Sequence, residues 1–273
     1  MNKIQSLKAN QVVAGYDKKI IIEGIDVRIP DNKISVIIGA NACGKSTLLK
    51  ALSRLIQPTS GEITLNNKKI SDIPPKHLAR ILGLLPQSPV LPEGITVADL
   101  VGRGRFPHQS LFKGFDKKDY EAVEEALEIM GIKDIANRCV DELSGGQRQR
   151  VWIAMALAQQ TDILLLDEPT TFLDIAYQVE ILDLLTDLNR KKGTTIVMVL
   201  HDINLSARYA DHIFAIRKGT LIAEGAPSEI ITQGLIKKIF DLDCSVIQDP
   251  VSGSPLIVPK GRHHVNLKTP SVC

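Results

Sequence analysis

A loop rich in small residues carries the most specific chemical pattern in the chain. Gly39 to Thr47 reads Gly-Ala-Asn-Ala-Cys-Gly-Lys-Ser-Thr and matches G-x-x-x-x-G-K-[ST]. In such a loop successive backbone N–H groups surround a β-phosphate, and the helix that follows adds its positive end to the same anion. Lys45 is expected to contact the β- and γ-phosphates, and the Ser46 hydroxyl is expected to bind Mg²⁺. The predicted nucleotide-binding residues are Gly39, Ala40, Asn41, Ala42, Cys43, Gly44, Lys45, Ser46 and Thr47.

Two adjacent carboxylates follow a short apolar run. The segment that starts at Ile163 reads Ile-Leu-Leu-Leu-Asp-Glu, so a buried strand would present Asp167 and Glu168 at its end. Asp167 is suited to hold Mg²⁺, directly or through water, and Glu168 to polarise an attacking water as a general base. Alone, such a pair is more often an ordinary acidic turn after a strand. Beside a phosphate-binding loop it predicts nucleotide hydrolysis.

A third motif opens a predicted long helix. Positions 143–147 read Leu-Ser-Gly-Gly-Gln, in which Ser144 can cap the helix and the glycines allow the backbone to approach a phosphate. A second phosphate-binding helix end is unusual for a kinase or a small GTPase. Together the three motifs resemble the ABC ATPases, whose signature is LSGGQ. In that family two copies pair head to tail, so each signature contacts the partner's ATP. The resemblance assigns this contact to Leu143, Ser144, Gly145, Gly146 and Gln147.

The resemblance implies roles for four further residues. Tyr16 would stack on adenine, and the alternative is a half-exposed aromatic on a strand. Gln87 would touch Mg²⁺ or the attacking water and couple nucleotide state to a transporter; otherwise it is a solvated turn residue. His201 would contact the γ-phosphate, the alternative being a bystander histidine. Asp174 corresponds to the family's D-loop and also suits a helix N-cap. The catalytic prediction is Gln87, Glu168 and His201, and the metal-ligand prediction is Ser46, Gln87 and Asp167.

The phosphate-binding loop departs from the family pattern at one position and carries a cysteine beside it. Ala42 stands where many relatives have glycine, so it must tolerate the local backbone without glycine's freedom, and we expect a modest effect on affinity. Cys43 lies at a predicted helix N-terminus, where thiolates are stabilised. It is predicted to be a small packing residue; the sharper hypothesis is that its alkylation blocks ATP binding.

The elements that must position these residues alternate between strands and helices. Ile34–Ile38 is short and rich in β-branched residues, which predicts a buried strand before the loop, and a helix is predicted from Lys45 to about Ile56. Predicted strands at Ile163–Leu166 and Thr195–Leu200 lead to the carboxylate pair and to His201. Further predicted elements are a strand at Ile81–Leu85, helices at Ile175–Leu188 and Ile203–Tyr209, and hairpins that turn at Asn66–Asn67 and Lys218–Gly219.

Between about Ser88 and Gln160 the pattern changes to helices. Thr96 to Asp99 reads as a capping box, apolar residues then recur at helical spacing up to Gly131, and a long helix is predicted at Gly146–Ala158. We predict an α/β fold with a P-loop NTPase (RecA-like) core, an N-terminal antiparallel β subdomain and an inserted α-helical subdomain. The predicted single domain spans residues 1–260, with the core at 1–87 and 161–260, the helical subdomain at 88–160, and a polar tail at 261–273.

Composition restricts the class of protein. The chain has 273 residues, of which 44% are hydrophobic and 23% charged, as expected for one sizeable domain. Its net charge of +2 gives no reason to expect a nucleic-acid partner. We find no apolar run of membrane-span length, no signal-peptide core and no Cys-x-x-Cys pair. With the resemblance, this predicts a peripheral protein on the cytoplasmic face of the cell membrane.

Three segments narrow the resemblance to one group of importers. Gly102–Gln109, Arg148–Met155 and Asp249–Val258 are similar to the iron(III)-siderophore import ATPases, and haem and cobalamin importers are close relatives. The resemblance implies Mg²⁺ as cofactor. It also implies two membrane permease subunits, a second copy of the chain, and an indirect link to an extracellular or periplasmic substrate-binding protein. Arg103, Arg105 and His108 would face the permease or form a solvated basic loop.

Other classes of protein fit the sequence less well. A soluble ABC ATPase of DNA repair would carry long coiled coils, and one of translation would carry two cassettes; this chain has one uninterrupted cassette. A regulatory module with a dead site is disfavoured because Lys45, Asp167, Glu168 and His201 are all present. An exporter is a further alternative, although exporters often fuse a membrane span to the cassette.

Overall fold

The computed structural model describes residues 5–17, 19–87, 89, 91–109, 114–171 and 173–261. The strands are β1 (Leu7–Tyr16), β2 (Lys19–Arg28), β3 (Ile34–Ile38), β4 (Ser60–Leu65), β5 (Lys68–Lys69), β6 (Leu82–Leu85), β7 (Ile163–Asp167), β8 (Thr195–Val199), β9 (His212–Arg217), β10 (Thr220–Gly225), β11 (Cys244–Gln248) and β12 (Pro255–Pro259). The α-helices are α1 (Lys45–Leu52), α2 (Pro75–Leu78), α3 (Val97–Gly102), α4 (Lys117–Ile129), α5 (Gly145–Ala158), α6 (Ile175–Lys192), α7 (Ile203–Tyr209), α8 (Pro227–Ile230) and α9 (Gln233–Phe240).

A six-stranded sheet forms the centre of the molecule, in the order β10-β9-β3-β8-β7-β6. The four inner pairings are parallel, and only β10 runs antiparallel to its neighbour. Strands β3, β7 and β8 are buried at every position, as their continuous apolar runs require in a sheet covered on both faces. Because parallel strands end at one edge of the sheet, the residues that follow β3, β7 and β8 meet there.

A second, antiparallel sheet of order β2-β1-β4-β5 lies on the N-terminal side of the chain. Its β4–β5 hairpin turns at Asn66–Asn67, as predicted, and both asparagines have positive φ, 54° and 62°. That pair of angles is typical of a type I′ turn, which asparagine tolerates. The backbone N–H of Glu23 donates to the Gly219 carbonyl at 2.9 Å, which links this sheet to the β9–β10 hairpin. The predicted α/β core with an N-terminal antiparallel subdomain is confirmed.

The segment between β6 and β7 is helical, as predicted, and packs around a buried ion pair. Arg105 Nε lies 2.8 Å from Asp119 Oδ1, and its guanidinium also donates to the Ala158 carbonyl at 2.7 Å. Arg105 is only 4% exposed, so the prediction that it faces a permease or lies in a solvated loop is wrong. His108 is half-buried with Nε2 2.8 Å from the Gln159 carbonyl oxygen, whereas Arg103 is exposed.

Some boundaries differ from the predicted ones for local reasons. Helix α1 ends at Leu52 instead of Ile56, because Arg54 adopts a left-handed conformation with φ 64°. The N–H groups of Arg54 and Leu55 then bond to the Ala51 and Lys50 carbonyls, which closes the helix in a Schellman motif. Helix α6 continues past Leu188 to Lys192, where Gly193 caps it with φ 67°.

The last elements, α8, α9, β11 and β12, were not predicted. The hairpin of β11 and β12 packs on α7, where the Asn204 amide accepts from the Ile257 N–H at 2.7 Å and donates to its carbonyl at 3.2 Å. Arg208 on the same helix pairs with Asp249 at 2.6 Å. The hairpin therefore supports the helix that follows His201. The predicted polar tail lies, after Gly261, outside the described residues.

Candidate functional site

The phosphate-binding loop connects β3 to α1, and its backbone is unusual at two positions. A Cβ atom on Gly39 would lie 2.3 Å from the Ile216 carbonyl oxygen and 2.6 Å from the Cys43 sulfur, so only glycine fits there. Ala42 has φ 58°, a left-handed conformation that costs a residue with a side chain more than glycine. The loop therefore holds a left-handed backbone conformation at a position that carries a side chain.

Lys45 and Ser46 point from the start of α1 into this loop region. The buried Lys45 ammonium donates to the Gly39 and Ala40 carbonyls, with N···O distances of 2.9 and 3.0 Å. The Ser46 hydroxyl donates to Asp167 Oδ1 at 2.8 Å. The loop motif and the carboxylate strand, separated by over a hundred residues, are thus in direct contact.

Glu168 lies at the centre of a cluster of polar side chains. One of its carboxylate oxygens is 2.6 Å from His201 Nε2. The other accepts from the Gln87 amide at 2.6 Å and from the Thr171 hydroxyl at 3.0 Å. Glu168 itself has φ 56° and is 8% exposed. The structure therefore brings together the three residues predicted to be catalytic, and adds Thr171.

The carboxyl of Asp167 lies in a less polar environment than water. Burial raises its pKa above the ordinary value of 3.8, and the neighbouring Glu168 charge raises it further. The Ser46 hydrogen bond and the Lys50 and Lys45 charges act in the opposite direction without cancelling the effect. A divalent cation beside this carboxyl would favour its ionised form, so the site is suited to receive positive charge.

Tyr16 stands at the outer edge of the same cleft and is 46% exposed. Lys50 on α1 places its ammonium 5.9 Å from the centre of the Tyr16 ring and 3.5 Å from its hydroxyl. The cleft has a volume of about 510 Å³. It is lined by Tyr16, Ile21, Asn41, Ala42, Cys43, Gly44, Lys45, Ser46, Thr47, Gln87, Glu168, Thr171 and His201.

The residues at Ser46 fit a magnesium ion that reaches the site with a nucleotide. Hydroxyl, carboxylate and amide oxygens are the ligands that Mg²⁺ prefers, and Ser46, Asp167 and Gln87 provide them. Within the described part of the chain, no group of three or more His, Cys, Asp and Glu side chains forms a complete metal site. Mg²⁺ is commonly held by one or two carboxylates together with substrate phosphates, which agrees with this sparse set.

Cys43 is buried in the loop, and its sulfur lies close to Gly39. Burial raises the pKa of its thiol, although the Lys45 charge and two backbone N–H groups act to lower it. The helix N-terminus therefore does not stabilise a thiolate here as the sequence suggested, because desolvation outweighs it. Its buried position is that of a small packing residue, whereas the alkylation hypothesis stays a prediction.

The signature residues lie away from this cleft. Ser144 caps α5: its hydroxyl accepts from the Gln147 N–H at 3.3 Å, and the Gln147 side chain accepts from the Ser144 N–H at 3.2 Å. None of residues 143–147 lines the cleft around Lys45. Asp174 caps α6 by accepting from the Tyr177 N–H at 3.0 Å, which bears out its suitability as an N-cap.

Two cleft-lining residues, Ile21 and Thr171, were missed at the level of sequence, and so was Lys50, which contacts Tyr16 at the edge of the cleft. The Thr171 hydroxyl contacts the Glu168 carboxylate. A threonine three residues after Glu168, in a turn, is within reach of that carboxylate, and this spacing could have indicated the contact. Lys50 contacts Tyr16. It lies one helical turn after Ser46 on the same face of α1, and this spacing could have indicated that it lies near the cleft.

The family model described as ABC transporter matches residues 22–171. The chain is 51% identical to the ferric enterobactin transport ATP-binding protein FepC of Escherichia coli (strain K12), over 95% of this chain and 96% of that protein. It is also 51% identical to the probable siderophore transport system ATP-binding protein YusV of Bacillus subtilis (strain 168), over 95% and 94%.

Solved structures agree with these relatives. The chain superimposes on the dimeric post-hydrolysis structure of the ATP-binding cassette MJ0796 bound to ADP and Pi, with a TM-score of 0.71 and 29% identity. The match covers 81% of this chain and 98% of that one. Among the residues described, every helix is too short or too polar to cross a bilayer.

Proposed function

The chain belongs to the ABC transporter ATP-binding family, and on that premise we propose that it is the ATP-hydrolysing subunit of an iron(III)-siderophore importer. The observation that carries the proposal is the cluster of Glu168, Gln87 and His201 beside the Ser46–Asp167 contact. The identity of 51% to the enterobactin and siderophore ATP-binding proteins supports the cargo class.

In the proposed reaction the loop binds the phosphates and Glu168 activates water. Lys45 exchanges its carbonyl partners for β- and γ-phosphate oxygens. The water oxygen attacks the γ-phosphorus, its proton goes to the Glu168 carboxylate, and the bond from the γ-phosphorus to the bridging oxygen breaks to release ADP. His201, already 2.6 Å from Glu168, would stabilise the charge on the γ-phosphate oxygens.

Glu168 is held in a resting arrangement until the nucleotide arrives. His201, Gln87 and Thr171 together occupy both of its oxygens. An ionised carboxylate has about four acceptor positions, so the three contacts leave one free on the oxygen that faces His201. Binding of the γ-phosphate would draw His201 toward it and open that oxygen to the attacking water.

Ser46, Asp167 and Gln87 are the residues that would hold Mg²⁺. When bound with ATP, the ion neutralises charge that develops on the β- and γ-phosphate oxygens. Tyr16 would stack on adenine at the exposed edge of the cleft.

The active form in this proposal is a head-to-tail pair of chains. Leu143–Gln147 lie outside the chain's own cleft, so a partner copy is needed to bring a capped helix end to the γ-phosphate. Asp174 lies at the start of α6 as the D-loop residue of the pair. Two permease subunits would bind the helical subdomain at residues 88–160, which is inserted in the core formed by residues 1–87 and 161–260. This contact would place the chain at the cytoplasmic face of the membrane. A substrate-binding protein would act only through the permeases, and no nucleic acid takes part.

Replacing the proposed base tests the reaction. Glu168→Gln should keep ATP binding, lower turnover about a hundredfold or more, and accumulate closed dimers. Phosphate release and size-exclusion chromatography with ATP measure the two effects. The matched control is Glu62→Gln, which affects an exposed carboxylate on β4 paired with Lys69 and should leave both unchanged. Undiminished turnover by Glu168→Gln would contradict the assignment.

Uptake experiments test the cargo. Cells that lack the chain should lose uptake of radiolabelled iron(III)-siderophore, while haem and cobalamin uptake continue. The wild-type chain should restore uptake, and the Glu168→Gln chain should not. If instead haem or cobalamin uptake is lost and siderophore uptake is kept, the cargo assignment is wrong and the alternative importer is supported.

A further inference from the structure

Gln149 has a contact that none of the roles above uses. It lies in the second turn of α5, the helix that Ser144 caps, and its side chain is half-buried. Its amide nitrogen donates to the Pro169 carbonyl oxygen at 2.8 Å. Pro169 is buried and directly follows Glu168 in the chain. The helix that begins with the signature is therefore joined to the turn that carries the proposed base.

That turn needs external support because its backbone conformation is uncommon. Glu168 holds φ 56°, a region that residues with a side chain occupy only when their surroundings impose it. Within the turn, the Thr171 N–H donates to the Glu168 carbonyl at 3.2 Å. The Gln149 bond fixes the next carbonyl, that of Pro169, and so restricts rotation of the Pro169–Thr170 peptide, one residue after Glu168. A shift of this peptide would move the carboxylate relative to the phosphate-binding loop.

The other end of α5 carries a contact of the same kind. Gln159, also half-buried, donates its amide nitrogen to the Ala79 carbonyl at 2.6 Å. Ala79 lies before β6 and takes no part in the Glu168 cluster. The two glutamines thus make equivalent bonds from one helix to the core, but only Gln149 reaches the turn of the base.

We propose that Gln149 is a positioning residue for the Glu168 of its own chain. This inference rests on the proposed function. In it, α5 serves two composite sites: its first turn faces the partner's nucleotide, and its second turn holds the chain's own catalytic turn in place. Gln149 touches neither nucleotide nor water and acts only through the backbone at Pro169.

The experiment compares Gln149→Met with Gln159→Met in the assembled transporter. Methionine keeps the length of the side chain and removes the donor. Gln149→Met should lower kcat on the order of tenfold with the KM for ATP changed less than about twofold, as expected when a supporting contact of a catalytic group is lost. Gln159→Met should lose similar thermal stability and keep kcat. Equal kcat values for wild type and Gln149→Met, or an equal fall in both variants, would overturn the proposal.

Mixed dimers show which base Gln149 supports. A Lys45→Ala chain paired with a Ser144→Arg chain has one working site, in which the Ser144→Arg chain supplies the loop and Glu168. Adding Gln149→Met to that chain should lower turnover, and adding it to the other chain should not. The reverse result would mean that Gln149 acts through the partner's nucleotide, which overturns the inference. If the wild-type transporter hydrolyses no ATP, the proposed function itself fails, so the two failures are distinct.

Discussion

At the scale of single residues, the cleft contains two side-chain-bearing residues in left-handed backbone conformation. Ala42 and Glu168 have φ values of 58° and 56°. Each such residue costs on the order of 1–3 kcal/mol and persists because the surrounding structure requires it. For Glu168 the conformation carries the carboxylate toward Gln87 and His201. For Ala42 no side-chain contact in the cluster compensates the cost.

Ala42→Gly should therefore stabilise the nucleotide-free chain by about 1 kcal/mol, because glycine adopts the left-handed conformation without a Cβ penalty. Denaturant unfolding of the purified chain measures the effect. Ala40→Gly, in the same loop without a positive φ, is the control and should give no gain. A loss of stability in Ala42→Gly would show that the alanine is not strained.

Asp167 illustrates a conflict between function and stability. Its raised pKa means that the folded chain binds the carboxyl proton more tightly than the unfolded chain, so stability falls as the pH rises through that range. Asp167→Asn should therefore raise the melting temperature at neutral pH while abolishing hydrolysis. The gain should shrink as the pH falls through the raised pKa of the wild-type carboxyl.

The control for this effect is Asp187→Asn on α6. A hydrogen bond and charge from Lys191 lower the pKa of the exposed Asp187 carboxyl, so its neutralisation should bring no gain at neutral pH. Equal gains in both variants would point to net charge, and not to burial, as the cause.

Residue types and spacing were enough to identify most of the site, but not its contacts. Lys45, Ser46, Asp167 and Glu168 were named because their motifs are specific, and His201 because the family resemblance implies a role for it. That the Gln149 amide supports the turn of Glu168 depends on how α5 meets that turn. Such side-chain-to-backbone bonds leave no periodic pattern in a sequence.

At the scale of elements, the helical segment between β6 and β7 depends on one buried ion pair. The Arg105 guanidinium joins the short 3-10 segment Arg103–Arg105 to Asp119 in the first turn of α4 and to the end of α5. Burial alone would raise the pKa of Asp119, but the hydrogen bond and charge of Arg105 and the Asp116 backbone hold it below 3.8.

Breaking this pair from one side should be costly. Arg105→Met leaves the Asp119 charge buried without its partner, and we expect a loss of about 3–5 kcal/mol in the free energy of unfolding. Arg105→Met combined with Asp119→Leu removes both charges and should recover a large part of that loss. Urea unfolding measures both variants, and a double variant no more stable than the single one would contradict this account.

The Arg105–Asp119 pair also predicts that the free energy of unfolding falls in acid. Because the folded pKa of Asp119 is lowered, its stabilising contribution is present above the ordinary value of 3.8 and is lost as the pH falls through the lowered pKa. The unfolding free energy of Asp119→Leu with Arg105→Met should change less over this acidic range than that of the wild type.

Elements with a strong periodic pattern were predicted well and the others were not. Strand β3 and helix α7 have the predicted bounds, because apolar runs and caps define them. Arg105 was predicted to face a permease or to lie in a solvated loop, whereas its burial depends on a partner, Asp119, that lies on another element. The β11–β12 hairpin was missed, since its main support is the side chain of Asn204 on a distant helix.

At the scale of the whole molecule, the signature residues 143–147 do not line the cleft of their own chain. The phosphate-binding loop, Asp167, Glu168 and His201 line or adjoin one cleft, whereas residues 143–147 do not. The proposed head-to-tail pair would resolve this separation, since a two-fold axis repeats the same contact twice. No single sequence displays such a composite site, and the signature motif indicated it only through the family resemblance.

Complementation of two inactive chains tests the pairing. Lys45→Ala and Ser144→Arg chains should each be inactive alone. After mixing in equal amounts, half of the dimers are mixed, and each has one of two sites intact, so roughly a quarter of wild-type turnover should return. Phosphate release before and after mixing measures this. A mixture as inactive as its components would exclude a site shared between copies.

The pairing of Lys45 with two backbone carbonyls has a consequence for measured affinities. Because its ammonium already has partners at 2.9 and 3.0 Å, ATP binding is a ligand-exchange reaction at the nitrogen and not the filling of an empty position. Charge-assisted bonds contribute about 1.5–3 kcal/mol each when they replace bonds to water, and here the two bonds to backbone carbonyls that are given up must also be subtracted. Lys45→Ala should therefore weaken ATP binding by less than the sum of its phosphate contacts. The rest of the Lys45 contribution should appear in kcat, because its ammonium stabilises the negative charge that develops on the β-phosphate of the departing ADP.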